Sequence, residues 1–279
     1  MNMHKSSVAV LGLGIMGIAM AENLDKAGFL AATWNRNPKP DAPKFNSSIE
    51  AVISASKFIL VLVTNDEAAT EVINNMKPLL TADHVVIQCS TVNPDTNKKL
   101  AQTVEATGAG FIEALIGGSK PAAINRTIIF YTGGKKSLVD LAEPVLLSMA
   151  AQAIYIGDVG QASAIKLAMN LSIALQVESL CESFAYAESN GISADVYFHV
   201  LKSNTAWNRL TDVKEPKLRD QDFSPQFSVR NMLKDVRLAL ATDGTRNGLT
   251  LLSAVEKIYA DADNKGMGDD DMISLYKLL

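Results

Sequence analysis

The sequence has few cysteines: Cys89 and Cys181 are the only two in 279 residues. They lie far apart, and neither belongs to a CxxC or CxxH pattern, so the spacing predicts neither a disulfide framework nor a zinc site. We therefore expect no metal site and a reducing, cytoplasmic location.

The sequence also has little excess of one sign of charge over the other. The formal net charge is −4, no block of like charge occurs, and the clustered basic residues of a nucleic-acid-binding surface are missing. The apolar run from Val8 to Ala21 is shorter than the roughly 20 residues needed to cross a bilayer. Its three glycines, with no small-residue cleavage site after them, argue against a signal peptide. We predict neither a nucleic-acid nor a membrane partner.

The composition is that of a soluble globular protein, with 48% hydrophobic and 20% charged residues. Up to about Ile156, short β-rich runs alternate with helical patterns, which predicts a parallel sheet with helices on both faces. The candidate strands are VAVLG, AATWN, KFILVLV, HVVIQCS, GAGFIEALI, RTIIFYTGG and QAIYIG.

After Gly160 the pattern changes to a stretch of about thirty residues that is apolar on nearly all faces and ends at Asn190-Gly191. This pattern predicts one long, largely buried helix. Shorter helices are predicted over Ser193 to Lys202, Ser228 to Thr245, Leu249 to Lys265, and from Asp269 onwards. The predicted fold class is α/β: a Rossmann-type doubly wound sheet over residues 1–160, then an all-α domain over residues 161–279, entered by the long helix.

A glycine-rich segment fits the dinucleotide fingerprint G-x-G-x-x-G. It comprises Gly12, Leu13, Gly14, Ile15, Met16 and Gly17, and it follows the strand SSVAVL and opens a helix from Met16 to Ala27. That context distinguishes a cofactor loop from a bare tight turn. The first glycine makes the turn, the second admits a pyrophosphate, and the third lets helix and strand pack closely.

The end of the second predicted strand chooses between NAD and NADP. An NAD site has Asp or Glu there to bind the ribose 2′-hydroxyl, whereas this chain has Asn35-Arg36-Asn37 with Lys39 nearby. A guanidinium suits a 2′-phosphate. We predict NADPH as the cofactor, with NAD less favoured; the alternative is that Arg36 is a solvated surface residue.

Lys166 lies near the start of the long helix, and Asn170 follows one turn later on the same face. A lysine near a helix start usually holds its ammonium group in water. However, this helix begins where the predicted cofactor domain ends, and domain junctions are preferred places for ligands. The two interpretations remain open from position alone.

Five segments, in order and over essentially the whole chain, resemble the β-hydroxyacid dehydrogenase family, most closely its glyoxylate and succinic semialdehyde reductase branch. They are GLGIMGIAMAENLDKAGF with WNR, QCSTVNP, FIEALIGGSKPA, GQASAIKLAMN and FSPQFSVRNMLKDVRLAL. The resemblance implies an NADPH-dependent reductase of small aldehydes or 2-keto acids, reversible as a hydroxyacid dehydrogenase. It also implies a homodimer or homotetramer.

The resemblance further implies a role for individual residues. Lys166 would be the general acid or base, Asn170 would orient the substrate, and Thr91 would border both substrate and nicotinamide. Val63, Thr64, Asn65 and Lys234 would contact the cofactor, and Phe227 and Asp235 the substrate. From the residues alone, the segment around Thr91 is equally a helix N-cap, and Lys234-Asp235 is equally a solvated pair.

The chain departs from the family pattern after the fifth strand. Gly117 stands where the family has a serine that receives the substrate carboxylate, and Leu115 stands where it has a proline. Backbone N–H groups of Gly117, Gly118 and Ser119 are still expected to bind an anion, and Gly117→Ser is expected to lower KM. Alternatively, the space opened by glycine admits a larger semialdehyde or a cyclic imine, as in imine reductases, although these usually replace the lysine. A non-catalytic dinucleotide sensor is a third possibility, which retention of Lys166 and Asn170 disfavours.

Overall fold

The computed structural model describes residues 7–279, so the first six residues of the predicted 1–160 domain lie outside it. The chain divides into two compact units, residues 1–166 and 167–279. The division falls inside a single helix, Gln161–Ser189.

The first unit is built on a seven-stranded sheet, and each predicted strand is present. The strands are β1 Val8–Leu11, β2 Leu30–Trp34, β3 Phe58–Val61, β4 Val85–Gln88, β5 Gly110–Gly117, β6 Ile129–Gly134 and β7 Gln152–Gly157, in the order β2-β1-β3-β4-β5-β6-β7. The first five strands are parallel, as predicted. Strand β6, however, runs antiparallel to β5, so the expectation of a wholly parallel sheet is wrong. Only residues 118–128 join the two strands, too few for a full crossover helix.

Helices cover both faces of this sheet. They are α1 Ile15–Ala27, α2 Ile49–Ser54, α3 Asp66–Met76, α4 Pro94–Glu105, α5 Lys120–Ile124 and α6 Lys136–Leu147, with a 3-10 turn at Lys77–Leu79. Strands β1, β3 and β4 are buried at every position. Alternate residues of β1 enter two different hydrophobic clusters, with Val8 and Val10 in one and Ala9 and Leu11 in the other. The doubly wound fold predicted from the sequence is therefore confirmed.

In the part of the chain that the structure describes, the second unit is helical. Its elements are α7 Gln161–Ser189, which begins in the first unit, α8 Ala194–Lys202, α9 Arg209–Asp220, α10 Val229–Ala241 and α11 Thr250–Ala262, then a π turn at Asp263–Met267 and a 3-10 helix at Met272–Leu278. By length and composition α7 could cross a membrane, but core helices of soluble proteins meet the same criteria.

Helix α9 was not predicted from the sequence. Its residues are mostly charged and include Pro216, so it has no long apolar stripe to reveal it. Local and tertiary contacts stabilise it instead. The side chain of Asn208 accepts hydrogen bonds from the N–H groups of Leu210 and Thr211, and the buried Lys214 ammonium pairs with Asp271 at 2.7 Å.

Glu178 on α7 should make the stability of the protein depend on pH. The side chain is buried, its Oε2 has no hydrogen-bond partner among residues 7–279, and burial, with the nearby Glu182, raises its pKa to about 7. Because the raised pKa favours the neutral acid in the folded state, this contribution to stability is complete below pH of about 4.5 and is lost as the pH rises through about 7. Glu178→Gln should therefore raise Tm at pH 8 but not at pH 4.5. Thermal unfolding at both pH values tests this, with Glu22→Gln at an exposed position as control; an unchanged pH dependence would contradict it.

Candidate cofactor site and active site

The glycine-rich loop between β1 and α1 has the three predicted glycine roles. Gly12 has a φ of +100°, and a Cβ there would lie 2.0 Å from the Leu62 carbonyl oxygen. A Cβ on Gly17 would lie 2.0 Å from the Gly12 oxygen, whereas one on Gly14 would meet nothing within 4 Å. The loop thus needs glycine for its turn and its packing, and it leaves open space beside Gly14 for a phosphate.

Two predicted residues hold this loop in shape. The Leu13 N–H donates to Asn35 Oδ1 at 2.8 Å, and Lys39 Nζ donates to the Leu13 carbonyl at 2.7 Å. No side chain of the described residues caps the start of α1. Its first N–H groups are therefore available to an anion, as in dinucleotide sites.

A cavity of about 310 Å³ lies beside the loop. Its wall includes seven of the predicted cofactor residues: Gly12, Leu13, Gly14, Asn35, Arg36, Val63 and Thr64. The predicted Ile15, Met16, Gly17 and Asn65 adjoin these residues in sequence without lining the cavity. The side chain of Asn65 accepts from the Ala68 N–H at 3.0 Å and so caps α3, and the Ser90 hydroxyl accepts from the Val63 N–H at 2.8 Å. The residues present fit the nucleotide part of NAD(P).

The cavity also contains a carboxylate that the sequence did not reveal. Glu71 on α3 lines it, and its Oε2 lies 3.0 Å from Arg36 Nη1. The two residues are 35 positions apart, so the residues next to Arg36 in the sequence gave no indication of this carboxylate. Both side chains are substantially exposed, 68% for Arg36 and 49% for Glu71, and pairs of this kind contribute little to stability. Arg36 can therefore leave Glu71 for a ligand at small cost.

The space beside Gly117, at the end of β5, is not open as the sequence suggested. A Cβ built on Gly117 would lie 2.8 Å from Tyr131 Oη and 3.0 Å from Cζ. The expected open space is therefore filled by the phenol of a neighbouring strand. Gly117→Ser, expected from the sequence to lower KM, would instead force Tyr131 to move. Gly118 and Ser119 follow in the loop, and Ser119 precedes the short helix α5 without capping it by its side chain.

A buried carboxylate, which the sequence analysis did not single out, fixes the first turn of α7. Glu113 on β5 is fully buried; its Oε1 accepts from Asn97 Nδ2 at 2.7 Å and from Ser163 Oγ at 2.6 Å. Its Oε2 accepts from the Gly160 N–H at 2.8 Å. The signal was present in the sequence as one charged residue within the apolar strand FIEALI.

Lys166 lies one turn after Ser163 on α7 and is only 9% exposed. This burial excludes the solvated surface lysine considered from the sequence. Asn170, a further turn along, is 4% exposed. A buried lysine and a buried amide at adjacent turns of one helix supply a proton donor and a hydrogen-bonding group.

The remaining predicted residues lie after β4 and in the second unit. Thr91 is half-buried and is the third residue after the end of β4. Asn170 Nδ2 donates to Asp235 Oδ2 at 2.5 Å, and Lys234 Nζ lies 2.6 Å from Asp235 Oδ1. Asp235 is 3% exposed, so Lys234-Asp235 is not a solvated pair. Phe227 is half-buried against the hydrophobic core of this unit.

Comparisons with known proteins extend over both units. Residues 7–157 match the family model for the NAD binding domain of 6-phosphogluconate dehydrogenase. Residues 160–279 match the family model for the NAD-binding region of NADP-dependent 3-hydroxyisobutyrate dehydrogenase. The chloroplastic glyoxylate/succinic semialdehyde reductase 2 of Arabidopsis thaliana is 28% identical, over 98% of this chain and 79% of that protein.

Solved structures of the same fold include enzymes of two kinds. Mycobacterium tuberculosis 3-hydroxyisobutyrate dehydrogenase with L-serine has a TM-score of 0.88 and 25% identity, over 98% of both chains. An imine reductase from Pseudomonas sp. has a TM-score of 0.67 and 22% identity, over 98% of this chain and 99% of that one. The latter similarity shows a shared fold.

Proposed function

Because this chain belongs to the β-hydroxyacid dehydrogenase family of NAD(P)-dependent oxidoreductases acting on hydroxyl and carbonyl groups, we propose that it reduces small aldehydes or 2-keto acids with NADPH. Glyoxylate and succinic semialdehyde are the proposed substrate type, and the reverse reaction is that of a hydroxyacid dehydrogenase. The observation that carries this proposal is the burial of Lys166 one turn beyond a helix start fixed by Glu113.

The proposed chemistry assigns one task to each group. NADPH, when bound, supplies a hydride to the carbonyl carbon of the substrate. The Lys166 ammonium group donates a proton to the carbonyl oxygen, so that the C=O bond becomes a CH–OH group. Asn170 and Thr91 orient the substrate, and the N–H groups of Gly118 and Ser119 bind its anionic end. In the reverse direction, neutral Lys166 accepts the proton from the hydroxyl group.

A substrate panel tests the proposal. Glyoxylate, succinic semialdehyde, other 2-keto acids and a cyclic imine are offered with NADPH, and oxidation is followed by absorbance. Turnover of the carbonyl compounds is expected. Turnover of the imine alone would establish an imine reductase instead, and NADPH binding without any turnover would establish a dinucleotide sensor.

Arg36 and Glu71 provide a test of NADPH over NADH. We expect Arg36→Ala to raise KM for NADPH by roughly tenfold to a hundredfold, since a hydrogen bond to a charged group is lost, and to change KM for NADH little. Glu71→Gln should lower KM for NADPH, because it removes the carboxylate beside Arg36. Steady-state kinetics with both cofactors measure these effects. Equal changes for NADPH and NADH would show that Arg36 does not read the 2′-phosphate.

The oligomeric state, a homodimer or homotetramer, is proposed from the family resemblance, and the cytoplasmic location from the two widely spaced cysteines. Exposed apolar side chains on α7 and α8 support an oligomer, namely Tyr186, Val196 and Val200, which are 73%, 54% and 58% exposed. Sedimentation velocity measures the assembly directly, and a monomer at micromolar concentration would refute it.

A further inference from the structure

We propose that Tyr131 is a substrate-binding residue whose phenol hydroxyl donates a hydrogen bond to a carboxylate on a short aldehyde substrate. This inference rests on the proposed function and identifies the side chain that reads the anionic end of the substrate. It starts from the Tyr131 phenol, which fills the space where a side chain at Gly117 would begin.

The register of two strands places the phenol there. Strands β5 and β6 are antiparallel, with Leu115 opposite Tyr131 and Gly117 opposite Ile129. Residues directly opposite each other point to the same face, so the Tyr131 ring and the Gly117 position are diagonal neighbours. The hydroxyl oxygen, Cζ and Cε2 of Tyr131 lie 2.8, 3.0 and 3.2 Å from the ideal Cβ position at Gly117. Glycine at 117 and tyrosine at 131 are therefore a matched pair.

The hydroxyl is chemically available. Tyr131 is half-buried, and its Oη has no hydrogen-bond partner among the residues that the structure describes. A partly buried tyrosine usually gives its O–H a partner, and here a ligand oxygen can take that place. The adjacent loop adds the backbone N–H groups of Gly118 and Ser119. A hydroxyl and two N–H groups are hydrogen-bond donors, which suit an anionic acceptor.

The face of the sheet that carries Tyr131 also carries Glu113, which is hydrogen-bonded to the start of the helix of Lys166. Glu113 lies two positions before Leu115 on β5, opposite Gly133, and so shares the face of Tyr131. It binds Gly160 and Ser163 at the start of α7, one turn before Lys166. The face therefore carries a hydroxyl donor at the carboxyl end of β5 and an anchor for the helix of the proton donor. Ligands of open α/β sheets bind at the carboxyl ends of strands.

The ring also limits the size of the substrate. Since the phenol occupies the space beside Gly117, this position admits less than a glycine alone would. A short carboxylate-bearing aldehyde or keto acid fits this arrangement better than a bulky cyclic imine. Where the family has a serine side chain on β5, this chain has Gly117, and the Tyr131 side chain from β6 occupies the space beside it.

Tyr131→Phe tests the inference, because it removes the hydroxyl and keeps the ring. We expect KM for glyoxylate or succinic semialdehyde to rise roughly tenfold to a hundredfold, the usual effect of losing a hydrogen bond to a charged group. The value of kcat should fall much less than KM rises, and KM for an aldehyde without a carboxylate should stay within about twofold. An unchanged KM for the carboxylate substrates, or an equal rise for the neutral aldehyde, would overturn the inference.

A double variant provides an independent test by moving the hydroxyl. Gly117→Ser alone should raise KM, since its Cβ displaces Tyr131, whereas Gly117→Ser with Tyr131→Leu should restore carboxylate binding relative to Tyr131→Leu alone. Thermal unfolding and NADPH fluorescence confirm that each variant is folded and binds cofactor. Failure of the proposed function would appear differently, as no turnover of carbonyl substrates by the wild type.

Discussion

Lys166→Ala should lower kcat for glyoxylate or succinic semialdehyde by about a hundredfold to ten-thousandfold, the usual contribution of a positioned general acid. The loss is expected in kcat because proton donation to the carbonyl oxygen occurs only as the C=O bond is reduced. The Kd for NADPH, measured by fluorescence, should change far less, since the predicted phosphate contacts lie at the glycine-rich loop.

Two further variants separate proton transfer from charge and from general surface effects. Lys166→Arg keeps a positive charge, but a guanidinium does not deprotonate in proteins, so its kcat should remain low. Lys257→Ala removes an exposed lysine of α11 and should leave kcat unchanged. If Lys166→Ala kept kcat within a few fold of the wild type, the acid role assigned to Lys166 would be wrong.

The fold was predictable as far as local pattern carries information. Strands such as Phe58–Val61 are apolar at every position, as strands buried on both faces must be, and the long helix α7 has an unbroken helical pattern. The direction of β6 was not predictable from its own residues, because the same apolar run suits either orientation. Helix α9 was missed because caps and buried ion pairs, not an apolar stripe, hold it.

In the candidate site, too, features set by neighbouring residues in the sequence were predictable, and those set by tertiary packing were not. The glycine-rich loop was predictable because turn, phosphate position and helix start lie within six consecutive residues. Glu71 beside Arg36 and Tyr131 beside Gly117 were not, because each pair is brought together by the packing of separate elements. Leaving out Tyr131 led to the wrong inference that glycine at 117 opens a space.

Glu113→Ala should strongly destabilise the protein. Its carboxylate accepts three hydrogen bonds, from Asn97, Ser163 and the Gly160 N–H. Truncation leaves the Ser163 hydroxyl and the Gly160 N–H without this acceptor, at about 1–3 kcal/mol each, whereas Asn97 Nδ2 keeps its hydrogen bond to Ser163 Oγ. A loss of roughly 3 kcal/mol or more in unfolding free energy is therefore expected, which at about 2–4 °C per kcal/mol for a chain of this size lowers Tm by roughly 10 °C. Thermal unfolding measures it.

Glu113→Gln distinguishes a purely structural role from a positioning role toward Lys166. The amide keeps the shape and one acceptor oxygen, and Asn97 Oδ1, which has no hydrogen-bond partner within residues 7–279, can receive its N–H if the Asn97 amide rotates. Stability should therefore fall less than in Glu113→Ala. The amide nitrogen takes the place of either Oε1, which accepts from Asn97 and Ser163, or Oε2, which accepts from the Gly160 N–H. In either orientation one of the present hydrogen bonds to the start of α7 is lost, so its first turn shifts and kcat should fall with little change in the Kd for NADPH. A variant with reduced Tm but wild-type kcat at a temperature where it is folded would show that Glu113 holds the fold without positioning Lys166.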